Sequence, residues 1–220
     1  MNFADNIIKE YLKNVYFITG NPCGGKTTTS RALSKKYNVP VYDIDEIFEK
    51  HHAIADPVNQ PNMCRQFKDA DEFFGRSVEE YREWLLGNTR EQLDFVLLDL
   101  MRLSANGKII CDCHLTLEQA ESLSDPSRVA FLIREPKNIV ESYCNRPDHQ
   151  GFSDFIHSAT DYEKAAKRCE DTLVSLNAEN YRKIKEGSWF YIEREANLSL
   201  DKVVERVANH FGWDMESTEE

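Results

Sequence analysis

The spacing of apolar and polar positions changes period several times along the chain. Three short segments are dense in apolar and β-branched or aromatic residues and read as buried strands: VYFIT at 15–19, KIIC at 108–111 and RVAFLI at 128–133. VPVYDI at 39–44 and SWFYIE at 188–193 fit the same reading. Between them, helical spacing predicts helices over 27–37, 77–104, 116–124, 137–145, 162–186 and 200–211. Strands that alternate with helices imply parallel pairing with helices on both faces. The expected fold is therefore α/β, a three-layer arrangement with a central parallel sheet of about five strands. Residues 51–76 have weak periodicity and two prolines, Pro57 and Pro61, and are expected to form an irregular insert. A loop of that length inside a compact domain is usually functional or mobile.

Composition narrows the partners. The chain has 220 residues, enough for one sizeable core, and 27 Lys plus Arg against 38 Asp plus Glu give a net charge of −11. Such a field repels nucleic acid and anionic lipid, so any anionic ligand has to be held by local groups. No charge-free apolar run approaches the roughly 18 residues of a spanning helix. The start, MNFADNIIKEYLKN, lacks a basic n-region and cleavage signal. The expectation is a cytoplasmic protein that binds a small molecule, with no nucleic acid and no membrane among its partners. Six cysteines without a paired CxxC framework fit reduced thiols. Cys111 and Cys113 lie two apart in a predicted strand and read as small core residues in preference to a zinc pair. His51 and His52 lack i, i+4 spacing and read as loop residues.

The strongest chemical signal follows the first strand. Residues 20–27, GNPCGGKT, fit G-x-x-x-x-G-K-[ST] with Gly20, Gly25, Lys26 and Thr27 in place, after a predicted strand and before a predicted helix. Glycines let successive amides converge on an anion, and the helix terminus adds partial positive charge. The cradle comprises Gly20, Asn21, Pro22, Cys23, Gly24, Gly25, Lys26, Thr27 and Thr28. Lys26 can reach outer phosphates and the Thr27 hydroxyl can bind magnesium.

On this motif the chain resembles the P-loop nucleoside-triphosphate-binding small-molecule kinases, of the shikimate, gluconate and adenylate kinase type. The N-K-x-D signature of GTPases is missing. In VYDIDEIF, Asp43 and Asp45 are expected two apart on one face at the end of the second strand, where ligands of such sheets bind. They resemble the D-x-D of the shikimate and gluconate kinases. That likeness implies that Asp45 orients or deprotonates the acceptor, while Asp43 or Asp112 supports the metal. Asp112, ending a strand in KIICDCHLT, resembles the carboxylate that holds magnesium through water. The glycine, proline and arginine that would follow it in a nucleoside-monophosphate kinase are missing. REPKNIVESYCNRP, after the 128–133 strand, resembles the approach to a lid, which makes Arg146 the implied charge-stabilising arginine, with Arg134 behind it at the phosphates. The resemblance implies one P-loop kinase-like domain over 1–220, with a substrate-binding insert at about 51–104 and a lid at about 146–160. Arg65, Arg76 and Arg82, in the insert region, are candidates for an acidic acceptor. ATP and Mg2+ are the implied cofactors, and transfer of the γ-phosphoryl group to a small-molecule hydroxyl is the implied activity.

Two other functions fit parts of the chain. FLIREPKNIVESY, with Arg134 and Ser142 eight apart, resembles the 3′-phosphate segment of sulfotransferases, but their phosphosulfate loop does not end in G-K-T. A nucleotide-dependent switch with weak hydrolysis would need a surface that changes with the γ-phosphate. The acidic stretches DEIFEK and MESTEE are candidate surfaces for it.

Overall fold

The computed structural model describes residues 4–143, 150–195 and 197–213. Five strands, β1 Val15–Thr19, β2 Val41–Asp43, β3 Ile109–Asp112, β4 Val129–Ile133 and β5 Tyr191–Glu193, form one sheet in the order β2-β3-β1-β4-β5. Every neighbouring pair is parallel. The α/β class and the five-stranded parallel sheet are as the periodicity predicts. The helices are α1 Asp5–Tyr11, α2 Lys26–Tyr37, α3 Ile44–His52, α4 Ala70–Gly75, α5 Val78–Leu103, α6 Leu117–Leu123, α7 Pro136–Tyr143, α8 Gln150–His157, α9 Tyr162–Glu186 and α10 Leu200–Phe211. None is long and apolar enough to cross a membrane, among the described residues.

The chain divides into two compact units. The first holds the sheet and consists of the residues up to Ile47, Val96–Arg134 and the chain from Asn180 onward. Its strands are short, nearly continuous apolar runs because both faces are covered. On one face Ile18, Ile110, Leu132 and Ile192 pack with Leu33 of α2 and Val204, Val207 and Phe211 of α10. Val15 and Phe17 alternate with Ile18 on β1 and are as deeply buried, so the opposite face is covered too. β1 lies between β3 and β4, and its chain exits to β2 on one side while β4 and β5 extend the other. The loop after β1 therefore leaves the sheet at the point where strand order reverses, the usual ligand crevice of such sheets.

The second unit comprises Phe48–Phe95 and Glu135–Glu179. Its core gathers Phe73, Phe74 and Tyr81 with Ile156, Cys169 and Leu173. Within it the Arg76 guanidinium lies 4.2–4.9 Å from the ring centres of Phe67, Phe73, Tyr81 and Trp84. Desolvation lowers its pKa to about 10. The stretch expected to be irregular is not wholly so. Asp69 caps α4 by accepting the Glu72 N–H at 2.9 Å, and the Glu91 carboxylate accepts the backbone N–H groups of Asn62 and Met63 at 2.9 and 2.8 Å. Short-range capping and one buried-side carboxylate thus order a segment whose hydrophobic period is too short to read.

Candidate functional site

The loop 20–25 is shaped by its neighbours on β4. A Cβ on Gly20 would come within 2.1 Å of the Leu132 carbonyl oxygen, and one on Gly24 within 2.2 Å. Only glycine fits at either position, because the loop backbone lies directly on the strand backbone. Asn21 adds a fixed point two residues further along, at β4's exit. Its Nδ2 donates to the Arg134 carbonyl at 2.6 Å, and its Oδ1 accepts the Arg134 N–H at 2.7 Å. The loop ends at Gly25, the left-handed N-cap of α2, and Cys23 also has a positive φ of 61°.

Helix α2 then starts bare. It has no side-chain cap and no acidic residue in its first turn, whereas Thr116 caps α6 and Ser199 caps α10 through their hydroxyls. The first N–H groups of α2 have no intrahelical partner and carry the positive end of the helix dipole. An anion seated in the loop satisfies both.

Lys26, at the first position of α2, is buried and donates from Nζ to the Asn21 carbonyl at 3.1 Å. Burial lowers its pKa, and the charges of Asp112 and Asp45 oppose that shift. Asp112 ends β3 beside β1, in register with Ile18, and pairs across to Asp43 of β2. Burial raises the pKa of Asp112, against the Lys26 charge and a hydrogen bond from the Thr27 side chain. Its Oδ2 is buried without a hydrogen-bond partner among the described residues. Burial likewise raises the pKa of Asp43, whose Oδ1 accepts the Asp45 N–H at 3.0 Å. The chain beyond β3 is pinned to the end of β1 by the Leu115 N–H donating to the Thr19 hydroxyl at 2.7 Å. Lys26, Thr27, Asp43 and Asp112 are thereby held together by strand register and by loop contacts.

Asp45 is placed differently from the expectation. β2 stops at Asp43, and Asp45 lies in the first turn of α3, where it is exposed. The two carboxylates therefore do not share a strand face. An acidic residue in a helix's first turn is favoured by the dipole, and Asp43 closes the turn by capping the Asp45 N–H. Asp45 Oδ2 lies 3.7 Å from Nε2 of His114, a residue the sequence reading did not single out.

Among the described residues no three or more His, Cys, Asp or Glu side chains converge on a point a metal could occupy. Magnesium takes one or two protein ligands and completes its shell with water and phosphate oxygens. The unpartnered Asp112 Oδ2 and the neighbouring Thr27 hydroxyl fit such an ion. Cys111 and Cys113 are buried core thiols that interact with each other. Arg134 contributes its backbone to Asn21, while its side chain is half-buried. Pro22 and Cys23 line the loop half-exposed, and Thr28 is exposed. Arg146 and the side chain of Ser142 lie outside the described residues.

Next to the loop is a cavity of about 110 Å³, floored by Gly24, Gly25 and Thr28 and walled by Ile192, Leu198 and Val203. Arg194 also lines it, and among the described residues is its only ionisable one. The sequence signal for this wall is the amphipathic segment LSLDKVVERV after the closing strand.

No family model matches the chain, and no curated protein matches it. Among solved structures it is similar to a shikimate kinase from Acinetobacter baumannii, with 15% identity over 94% of this chain and 96% of that one and a TM-score of 0.46. It is similar also to a gluconokinase from Sinorhizobium meliloti, with 13% identity over 94% and 97% and a TM-score of 0.43. A dephospho-CoA kinase from Campylobacter jejuni matches with 13% identity over 93% and 96% and a TM-score of 0.40. At these identities and TM-scores the likeness carries no activity over to this chain.

Proposed function

We propose that the chain is an ATP-dependent phosphotransferase that moves the γ-phosphoryl group to a hydroxyl of a small polar metabolite. The observation that carries this reading is the bare start of α2 beside a buried Lys26 and an Asp112 carboxylate with one oxygen unpartnered. The loop amides of residues 21–27 bind the β-phosphate, and the base packs in the cavity beside Gly25. Lys26 bridges the β- and γ-phosphates. Approach of that negative charge offsets the burial that lowers its pKa, so it stays protonated when nucleotide is bound. Thr27 and Asp112, with Asp43 behind them, would hold magnesium, which would neutralise negative charge on the donor's phosphates. Asp45, exposed at the rim, accepts the proton of the acceptor hydroxyl as its oxygen bonds to the γ-phosphorus and the bond to the departing ADP oxygen breaks.

The reading is tested by following ADP release with ATP, Mg2+ and pools of hydroxyl-bearing metabolites such as sugar acids, hydroxy acids and nucleosides. The expected result is acceptor-dependent turnover that Lys26→Ala abolishes. Acceptor-independent hydrolysis alone would favour a nucleotide switch. Binding of adenosine 3′,5′-bisphosphate with no response to ATP would favour sulfotransfer.

A further inference from the structure

Among the described residues, the one charged side chain that lines the cavity beside the loop, Arg194, has no role in the site as read from sequence. Arg194 is exposed, and among the described residues it makes no ion pair or side-chain hydrogen bond. Its position is nevertheless fixed. The Arg194 N–H donates to the Ile133 carbonyl at 2.8 Å, continuing the β4–β5 register in which Ile133 pairs with Glu193. Its Nη1 lies 3.6 Å from the point where a Cβ on Gly25 would be. Three consecutive residues of β4 and its exit therefore set both partners. The Leu132 carbonyl seats Gly20 and Gly24, the Ile133 carbonyl holds Arg194, and the Arg134 backbone holds Asn21.

The charge balance gives this placement a purpose. Lys26 faces the carboxylates Asp112 and Asp45, so much of its field is spent within the protein, in a chain of net charge −11. An unpaired guanidinium over Gly25, the N-cap of the phosphate-binding helix, restores a net attraction for a polyanion.

Resting on the nucleotide reading above, we propose that Arg194 is a further nucleotide-binding residue that pairs with the phosphate chain of the donor at the Gly25 end of the loop. The walls of the cavity are apolar and take the base. Arg194 stands at the passage from the base to the phosphates and reads charge.

The test is calorimetric titration of wild type, Arg194→Ala and Arg194→Lys with ATP plus Mg2+, ADP plus Mg2+, and adenosine, at low and high salt. Circular dichroism melts check that each variant folds, as expected for an exposed side chain. Arg194→Ala should bind ATP and ADP about tenfold more weakly, with the deficit shrinking at high salt and recovered in large part by Arg194→Lys. Adenosine should bind wild type and Arg194→Ala alike. Unchanged ATP affinity in folded Arg194→Ala would overturn the proposal, and so would an equal loss for adenosine and ATP, which would make Arg194 a stacking partner of the base. If wild type itself gave no heat with either nucleotide, the donor reading beneath the proposal would fall instead.

Discussion

The side-chain amide of Asn21 spends both its donor and its acceptor on the backbone of one residue, Arg134, at 2.6 and 2.7 Å. A side chain that imitates a strand partner in this way ties the phosphate-binding loop to the end of β4. Asn21→Ala should leave both Arg134 backbone groups short of a partner and cost about 1–3 kcal/mol. Asn21→Asp keeps the acceptor but sets a carboxylate oxygen against the Arg134 carbonyl, and should cost at least as much. Denaturant melts of the two variants check the order. A loop anchored elsewhere would leave both at wild-type stability.

Gly24→Ala should be far more damaging than its size suggests. The added methyl would overlap the Leu132 carbonyl oxygen, so either the loop lifts off β4 or the strand bends. The expected outcome is a melting temperature lowered by several degrees and loss of nucleotide binding together. Gly75→Ala, where a Cβ meets nothing within 4 Å, is the control and should change neither.

Asp43 is a cost to the nucleotide-free fold. Its carboxyl has a pKa raised mainly by burial, so the folded state holds its proton more tightly than the unfolded chain does. Stability from this group is full below the unfolded pKa, near 3.8, and is lost as pH rises through the higher folded value. Asp43→Asn retains an oxygen for the Asp45 N–H and has no charge to bury. At neutral pH it should melt above wild type. The gap should close as pH falls toward 4, which melting curves across that range measure.

In the second unit, Glu91 accepts two backbone N–H groups and the Asn62 side chain, the last at 2.6 Å. Glu91→Gln replaces one of its oxygens by an NH2 group facing those donors. The charge-assisted bonds are worth about 1.5–3 kcal/mol, so amide exchange at Asn62 and Met63 should quicken at least tenfold while exchange in β1 stays at its wild-type rate.

Where the chain spoke through period, the sequence was readable. VYFIT coincides with β1, and the 200–211 and 162–186 helices match α10 and α9. These segments are long or uniformly apolar, so each displays its period in full. Of the short helices, α6 and α7 were foreseen and α1, α3, α4 and α8 were not, since six to nine residues hold few turns in which to display a helical period. At the site, the phosphate loop was legible because its chemistry is contiguous: glycines, lysine and hydroxyl follow one another along the chain. Asp112 was legible as a strand end. Arg194 and His114 were not, because their proximity to Gly25 and Asp45 is created by strand order and by the exits of β5 and β3, which no local spacing encodes.

The most direct test of the account is the thermal shift of the wild-type chain and of Lys26→Ala on adding ATP with Mg2+. A ligand at 100 times its Kd adds about 2.7 kcal/mol, which should raise the wild-type melting temperature by roughly 5–10 °C. The account predicts that rise in wild type and its disappearance in a folded Lys26→Ala. An equal rise in both, or none in wild type, would contradict the assignment of the loop after β1 as the nucleotide site.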